Sequence, residues 1–228
     1  NWIHPLGLAR VDIEGDMPSS AYRKLLEALE CLQMAPTPTK GNTNDVIDLG
    51  ASPGGWTAAL RKLGCNIVAV DRSPLDTSLM QDDKVTFVKG DAFTYAPPQP
   101  TKTQTKTQRS PPDSWMVSDV IAYPERATEL LERWCMGHWA QYLIITVKFQ
   151  GQVPAFDDLD NAIATAKRHG YHCRAKHFFN NKNEVTLMAW EESASNNERK
   201  EVDDDEEADS QTGLVLGESF YPAILPKR

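Results

Sequence analysis

Residues 48–60 read Asp48-Leu49-Gly50-Ala51-Ser52-Pro53-Gly54-Gly55-Trp56-Thr57-Ala58-Ala59-Leu60, and this stretch decides the fold. A short apolar run, Val46–Leu49, leads into it, and a helix-compatible segment, Gly54–Leu63, leads out. A loop with so little side-chain bulk between a strand and a helix lets backbone approach a ligand closely. About 20 residues on, the run Ile67–Val70 ends at Asp71, where an acid grips ribose hydroxyls in nucleotide-binding folds. Asp91, after the run Val85–Val88, falls on the same edge. Together with Asp48, these acidic strand ends around one glycine loop describe a site for an adenosine-bearing ligand.

Outward from this loop the chain alternates strand and helix. Trp115–Ser118 and Tyr142–Val147 are further buried-strand runs, and Glu125–Trp134 and Asp157–His169 suit helices between them. The last of these opens on acids and stops at Gly170, as helix termini prefer. Tyr171–Phe178 and Glu184–Trp190 form a final strand pair around the turn Asn180–Asn183. This βαβ pattern with an antiparallel end predicts an α/β fold, a doubly wound, mostly parallel sheet with an antiparallel terminal strand.

The 228 residues are 40% hydrophobic, enough to close one core. No apolar run is long enough to cross a bilayer, and the N-terminus has no signal-peptide pattern. Cys31, Cys65, Cys135 and Cys173 form no Cys-x-x-Cys pair, and read as reduced thiols in or near the core. The five histidines (His4, His138, His169, His172 and His177) have no metal-ligand spacing. No metal is therefore expected. The net charge is −8, but residues 191–228 alone hold 11 acids against 4 bases. Without them the chain is near neutral, so a basic surface for nucleic acid is permitted. Residues 97–112 lack apolar side chains and read as a flexible insert, and the charged run 191–211 as disordered.

Three glycine-loop chemistries can be weighed against residues 48–60. A nicotinamide dinucleotide site needs Gly-x-Gly-x-x-Gly, which is absent, and Pro53 removes an amide that a pyrophosphate would use. A triphosphate loop needs a terminal Gly-Lys-Ser/Thr, also absent. Gly50-Ala51-Ser52-Pro53-Gly54 does match the nucleophile elbow of serine hydrolases. In that elbow the residue after the serine donates an amide to the oxyanion hole, and Pro53 has none to give.

Ser52-Pro53-Gly54-Gly55-Trp56 after an Asp-Leu-Gly strand end resembles the cofactor loop of the FtsJ-type RNA ribose 2′-O-methyltransferases. The likeness runs from about Pro18 to Trp190. Ser114–Val120, the segment Trp134–Trp139 and Asn183–Trp190 resemble in particular the branch acting on a cytidine of bacterial large-subunit ribosomal RNA. The resemblance implies a Rossmann-like class I methyltransferase fold, S-adenosylmethionine as cofactor and RNA, ribosomal RNA in particular, as substrate. The family's Lys-Asp-Lys-Glu set maps onto Lys24, Asp119, Lys148 and Glu184. The cofactor would be held by Asp48, Gly50, Ser52, Pro53, Gly54, Gly55, Trp56, Asp71, Asp91 and Asp119, with Asp71 on its ribose and Asp91 at its adenine. The implied layout is an N-terminal extension 1–17, a methyltransferase domain 18–190, an acidic segment 191–211 and a tail 212–228. The N-terminal RNA-binding region of the ribosomal enzyme has no counterpart in these residues.

Taken singly, Lys24 reads as a solvated lysine on a helix with a Leu25/Leu26/Leu29/Leu32 stripe, and Glu184 as an exposed strand residue. Lys148 ends an apolar strand where a charge needs a reason, and Asp119 closes a strand at the ligand-binding edge. Trp56 reads as packing its own helix. For methyl transfer to a ribose hydroxyl, Lys148 is the candidate base, since a lysine yields its proton when buried or crowded by another cation such as Lys24. Asp119 would orient its amine, and Glu184 would position Lys24 and the ribose. The alternative is a catalytically silent RNA- or ribosome-binding module. The acidic segment suits a basic protein partner. A monomer with no membrane association, in the cytoplasm or an organelle, is expected.

Overall fold

The computed structural model describes residues 15–38, 46–98, 110–149 and 156–191. The extension 1–17, the insert 97–112, the acidic segment 191–211 and the tail 212–228 therefore lie wholly or mostly outside the described residues. Elements run in the order α1 (Tyr22–Leu32), β1 (Val46–Leu49), α2 (Gly55–Lys62), β2 (Ile67–Asp71), α3 (Thr77–Met80), β3 (Val85–Lys89), β4 (Trp115–Ser118), α4 (Pro124–Gly137), β5 (Tyr142–Lys148), α5 (Phe156–Arg168), β6 (His172–Lys176) and β7 (Glu184–Trp190). The strands make one sheet in the order β3-β2-β1-β4-β5-β7-β6. β7 runs antiparallel to both neighbours, and the other pairings are parallel. This is the doubly wound sheet with an antiparallel end expected from the sequence.

Alternation along each strand divides the apolar side chains between two cores. Val46, Ile67, Ala69, Trp115, Val117 and Ile144 face α1 and α2, where Leu25, Leu29 and Leu60 meet them. Leu49, Val68, Val70, Met116, Leu143 and Ile145 face the other way, onto Leu130, Leu131, Trp134 and Leu159 of α4 and α5. A parallel sheet covered on both faces needs apolar residues at consecutive positions, which is why these strands read as unbroken runs.

Local chemistry sets the helix ends. Pro124 opens α4, where its missing N–H costs nothing, and His138 closes it in the left-handed region at φ 48°. Asp157 and Asp158 in the first turn of α5, with Lys167 and Arg168 in the last, oppose the helix dipole. No sequence pattern announces α3, a single turn started by Asp76, whose side chain accepts from Ser78 N. β6 is shorter than the expected strand Tyr171–Phe178. Tyr171 and Phe178 flank β6 as buried anchors, and residues 177–183 form a loop in place of a tight turn.

The strand order reverses at β1 and β4, and ligands of doubly wound sheets bind beyond the carboxyl ends there. The glycine loop follows β1, and Asp119 follows β4. Register across β5 and β7 sets Lys148 opposite Glu184 at the same edge. The fold thus brings the candidate site together before any side chain is considered.

Trp134 is wholly buried and packs edge-on to Trp139 at 5.5 Å. Trp134→Ala is expected to destabilise the chain by ~3–5 kcal/mol, the usual cost of emptying such a site. Urea unfolding measures this, and a loss well below that range would show that α4 repacks freely.

Candidate active site

The loop after β1 is shaped by two glycines in the left-handed region and by Asp71. Gly50 has φ +75°, and a Cβ there would sit 2.8 Å from Val120 Cβ. Gly54 has φ +115°, and its Cβ would reach 2.2 Å from Leu79 Cδ1. Any larger residue would push the loop off β4 or α3. The peptide bond between Ser52 and Pro53 is cis. Asp71 Oδ2 accepts from Ser52 N at 3.0 Å, and its Oδ1 from Ser73 N at 2.8 Å. Trp56 Nε1 donates to Ala21 O at 2.8 Å, which ties the loop to the start of α1.

These elements enclose a cavity of about 380 Å³, within the range of small-ligand sites. Of the expected cofactor residues, Asp48, Gly50, Ser52, Pro53, Gly55, Trp56, Asp71 and Asp119 line it. Gly54 lies behind the loop against Leu79. Asp91 lies outside the lining; its carboxylate meets Arg72 and accepts from Phe93 N at 2.9 Å. These two bonds hold the Asp91 carboxyl below its usual range, the amide of Phe93 contributing most.

Asp48, Asp71 and Asp119 face this cavity with Lys148. Asp48 is 1% exposed and accepts from Thr57 Oγ1 at 2.6 Å. Desolvation pushes its pKa up to about 7, and the charges of Asp119 and Asp71 add to the rise. A cavity with three carboxylates and one amine favours a ligand carrying positive charge. S-adenosylmethionine, with its sulfonium and ammonium groups, meets that requirement, and a pyrophosphate-bearing dinucleotide does not.

The four charged residues read from the sequence converge beside this cavity. Lys24 Nζ lies 2.7 Å from Asp119 Oδ1 and 2.9 Å from Glu184 Oε1. Lys148 Nζ donates to Asp119 O at 2.7 Å and stands 3.2 Å from Asp119 Oδ1. Lys24 and Glu184 are each 7% exposed, so neither is the solvated residue that its local sequence suggested. Lys148 and Asp119 alone of the four line the cavity.

Several residues of the site carried no sequence expectation. Thr146 Oγ1 donates to Asp119 Oδ1 at 2.6 Å. Its position two residues before Lys148 on one strand face was the available signal. Asn181 Nδ2 reaches Glu184 Oε1 at 3.4 Å from within a run that read only as a turn. With Ala51 of the glycine loop, Ser19, Ala21, Val120 and Ile121 complete the cavity lining, the last four brought there by packing that no local pattern announces. Among the described residues no group of three or more His, Cys, Asp or Glu could hold a metal ion. Nor is any of their helices long and apolar enough to cross a membrane.

The model of the FtsJ-like methyltransferase family matches residues 17–125, from α1 through β4 to the first turn of α4. Over these residues the chain is similar to the FtsJ-like methyltransferase family. The chain is 29% identical over 195 residues to the ribosomal RNA large subunit methyltransferase M of Shewanella frigidimarina, covering 82% of this chain and 51% of that one. It is 30% identical over 191 residues to the protein of that name from Shewanella pealeana, covering 80% and 50%. For the protein from Marinomonas sp. the figures are 29% over 195 residues, 80% and 51%. The chain thus spans about half the length of the curated relatives it matches. FtsJ-like methyltransferases bind S-adenosylmethionine, the cationic ligand for which this cavity is charged.

The perturbed acid gives a pH test. A carboxyl that keeps its proton to about pH 7 when folded, against 3.8 ordinarily, makes the folded state bind more protons between those values. Stability from this group is therefore lost as pH rises through that window. Asp48→Asn removes the effect, so its melting temperature relative to the unsubstituted chain should rise between about pH 4 and about pH 7. The same variant should bind S-adenosylmethionine more weakly. A melting difference independent of pH would contradict the assignment.

Proposed function

We propose that this chain transfers a methyl group from S-adenosylmethionine to a ribose 2′-hydroxyl of RNA, with ribosomal RNA as the substrate class. The observation that carries this reading is the cluster of two lysines and two carboxylates beside a carboxylate-lined cavity. The names of the curated relatives point the same way. Burying four charges together costs desolvation energy that a silent binding module would have no reason to bear.

S-adenosylmethionine supplies an activated methyl group whose departure needs no acid. What remains for the protein is to hold the ribose oxygen in line and to take its proton. Lys148 is placed for the second task. Lys148 Nζ donates to Asp119 O and lies 3.2 Å from Asp119 Oδ1, which fixes the amine at the wall of the open cavity. Lys24, clamped between Asp119 and Glu184, balances their charge and fixes the Asp119 carboxylate. Asp48, Asp71 and the loop Gly50–Trp56 hold the cofactor, with Asp91 supporting the loop beyond β3 on the adenine side.

Lys148→Ala should lower single-turnover transfer to RNA by ~10²–10⁴-fold while cofactor affinity stays within about a few-fold. Adding Lys24→Ala should deepen the defect little, because residues acting as a unit are not additive. Near-unchanged turnover in Lys148→Ala would transfer the role of base to Asp119.

A further inference from the structure

The loop between β6 and β7 carries a large aromatic side chain outward from a well-tied frame. Phe178 N donates to Asn181 Oδ1 at 2.7 Å, and Asn181 N to Phe178 O at 3.1 Å. Asn180 N donates to Glu27 Oε2 at 3.1 Å, one helical turn from Lys24 on α1. Asn181 itself is 7% exposed and reaches both Glu184 and Thr186. Between these fastenings Phe179 stands 51% exposed. The frame thus leaves half of the Phe179 side chain exposed on a loop whose Asn180 and Asn181 reach Glu27 and Glu184.

A basic strip leads away from it. β6 is the outermost strand, and Arg174 and Lys176 alternate onto one of its faces. The Arg174 guanidinium lies 5.9 Å from the Trp190 ring, and Lys176 Nζ 5.5 Å from the Phe178 ring. Lys182 is exposed on the loop itself. Glu27, one of the groups whose charge reaches Lys176, is 1% exposed and presents no carboxylate to solvent. An aromatic ring followed by cations at strand spacing is the pattern that holds single-stranded nucleic acid, with bases stacked and phosphates paired.

We propose that Phe179 is a stacking platform for an unpaired base beside the target nucleotide, and that Arg174, Lys176 and Lys182 bind the phosphates leading to it. This deepens the reading of the chain as an RNA methyltransferase and rests on it. The occupant is single-stranded RNA, since a paired base offers no free face to stack.

The test uses the full 228-residue chain with fluorescein-labelled random-sequence RNA, single-stranded in one arm and duplex in the other. Phe179→Ala should weaken single-strand binding by about 10-fold, within the range for one lost base stack. Phe179→Trp should restore it, and duplex binding should not change. Arg174→Gln with Lys176→Gln should flatten the dependence on salt by roughly 0.7 per lost phosphate contact. Melting temperature and S-adenosylmethionine affinity, measured on every variant, should match the unsubstituted chain. Equal single-strand affinity for Phe179→Ala and the unsubstituted chain, or a loss that Trp does not repair, overturns the proposal. The underlying reading fails separately, if the unsubstituted chain transfers no methyl group to ribosomal RNA.

Discussion

One carboxylate oxygen, Asp119 Oδ1, is the point at which the elements of the site are fastened together. It faces Lys24 from α1, Thr146 and Lys148 from β5, and hangs from the end of β4. Each partner would be costly to bury alone. Together, two ammonium and two carboxylate groups can compensate one another without water, provided their geometry is kept. That condition explains the rest of the arrangement. α1 must lie close enough for Lys24 to reach across to β4. β7 must run antiparallel so that Glu184 arrives opposite Lys148, and the Asn181 loop must hold Glu184 in place.

The cavity beside this cluster has the opposite character. Its carboxylates are compensated only in part from within the protein, and Asp48, whose pKa is raised first by burial, is pushed further by the charges of Asp119 and Asp71. A positively charged cofactor would complete the balance that the polypeptide leaves open. The glycine loop gives that cofactor its room. Asp71 gives one oxygen to the Ser52 amide of this loop and the other to Ser73 in its own turn, so it acts on the loop's shape as well as facing the ligand. The two halves divide the work, one neutral and tightly tied for proton transfer, the other anionic and receptive.

Much of this was legible in the sequence because the physics involved is local. Runs such as Ile67–Val70 are strands on both faces of a covered sheet, and residues 48–60 announce a ligand loop by their lack of side-chain bulk. Lys24 and Glu184 were legible only through resemblance, since amphipathic helices and half-exposed strands carry such charges routinely. Their burial arises from contacts across 95 residues for Lys24 and Asp119, which no periodicity encodes. Thr146, Asn181 and the cavity wall from Ser19 to Ala21 were missed for the same reason. Asp91 marks the limit in the other direction. Its place after β3 was read correctly, yet its side chain turns to Arg72 and Phe93, a matter of rotamer that sequence does not fix.

The central claim is that the methyl group reaches a ribose oxygen of RNA, and the chemistry of RNA hydrolysis tests it directly. Alkali cleaves RNA through the free 2′-hydroxyl, so a methylated ribose leaves its phosphodiester bond intact. Ribosomal RNA incubated with the chain and S-adenosylmethionine labelled in the methyl group should, after complete alkaline digestion, carry its label in alkali-stable dinucleotides. Label recovered in mononucleotides would place the methyl group on a base, and label in protein or in no RNA product would contradict the account altogether.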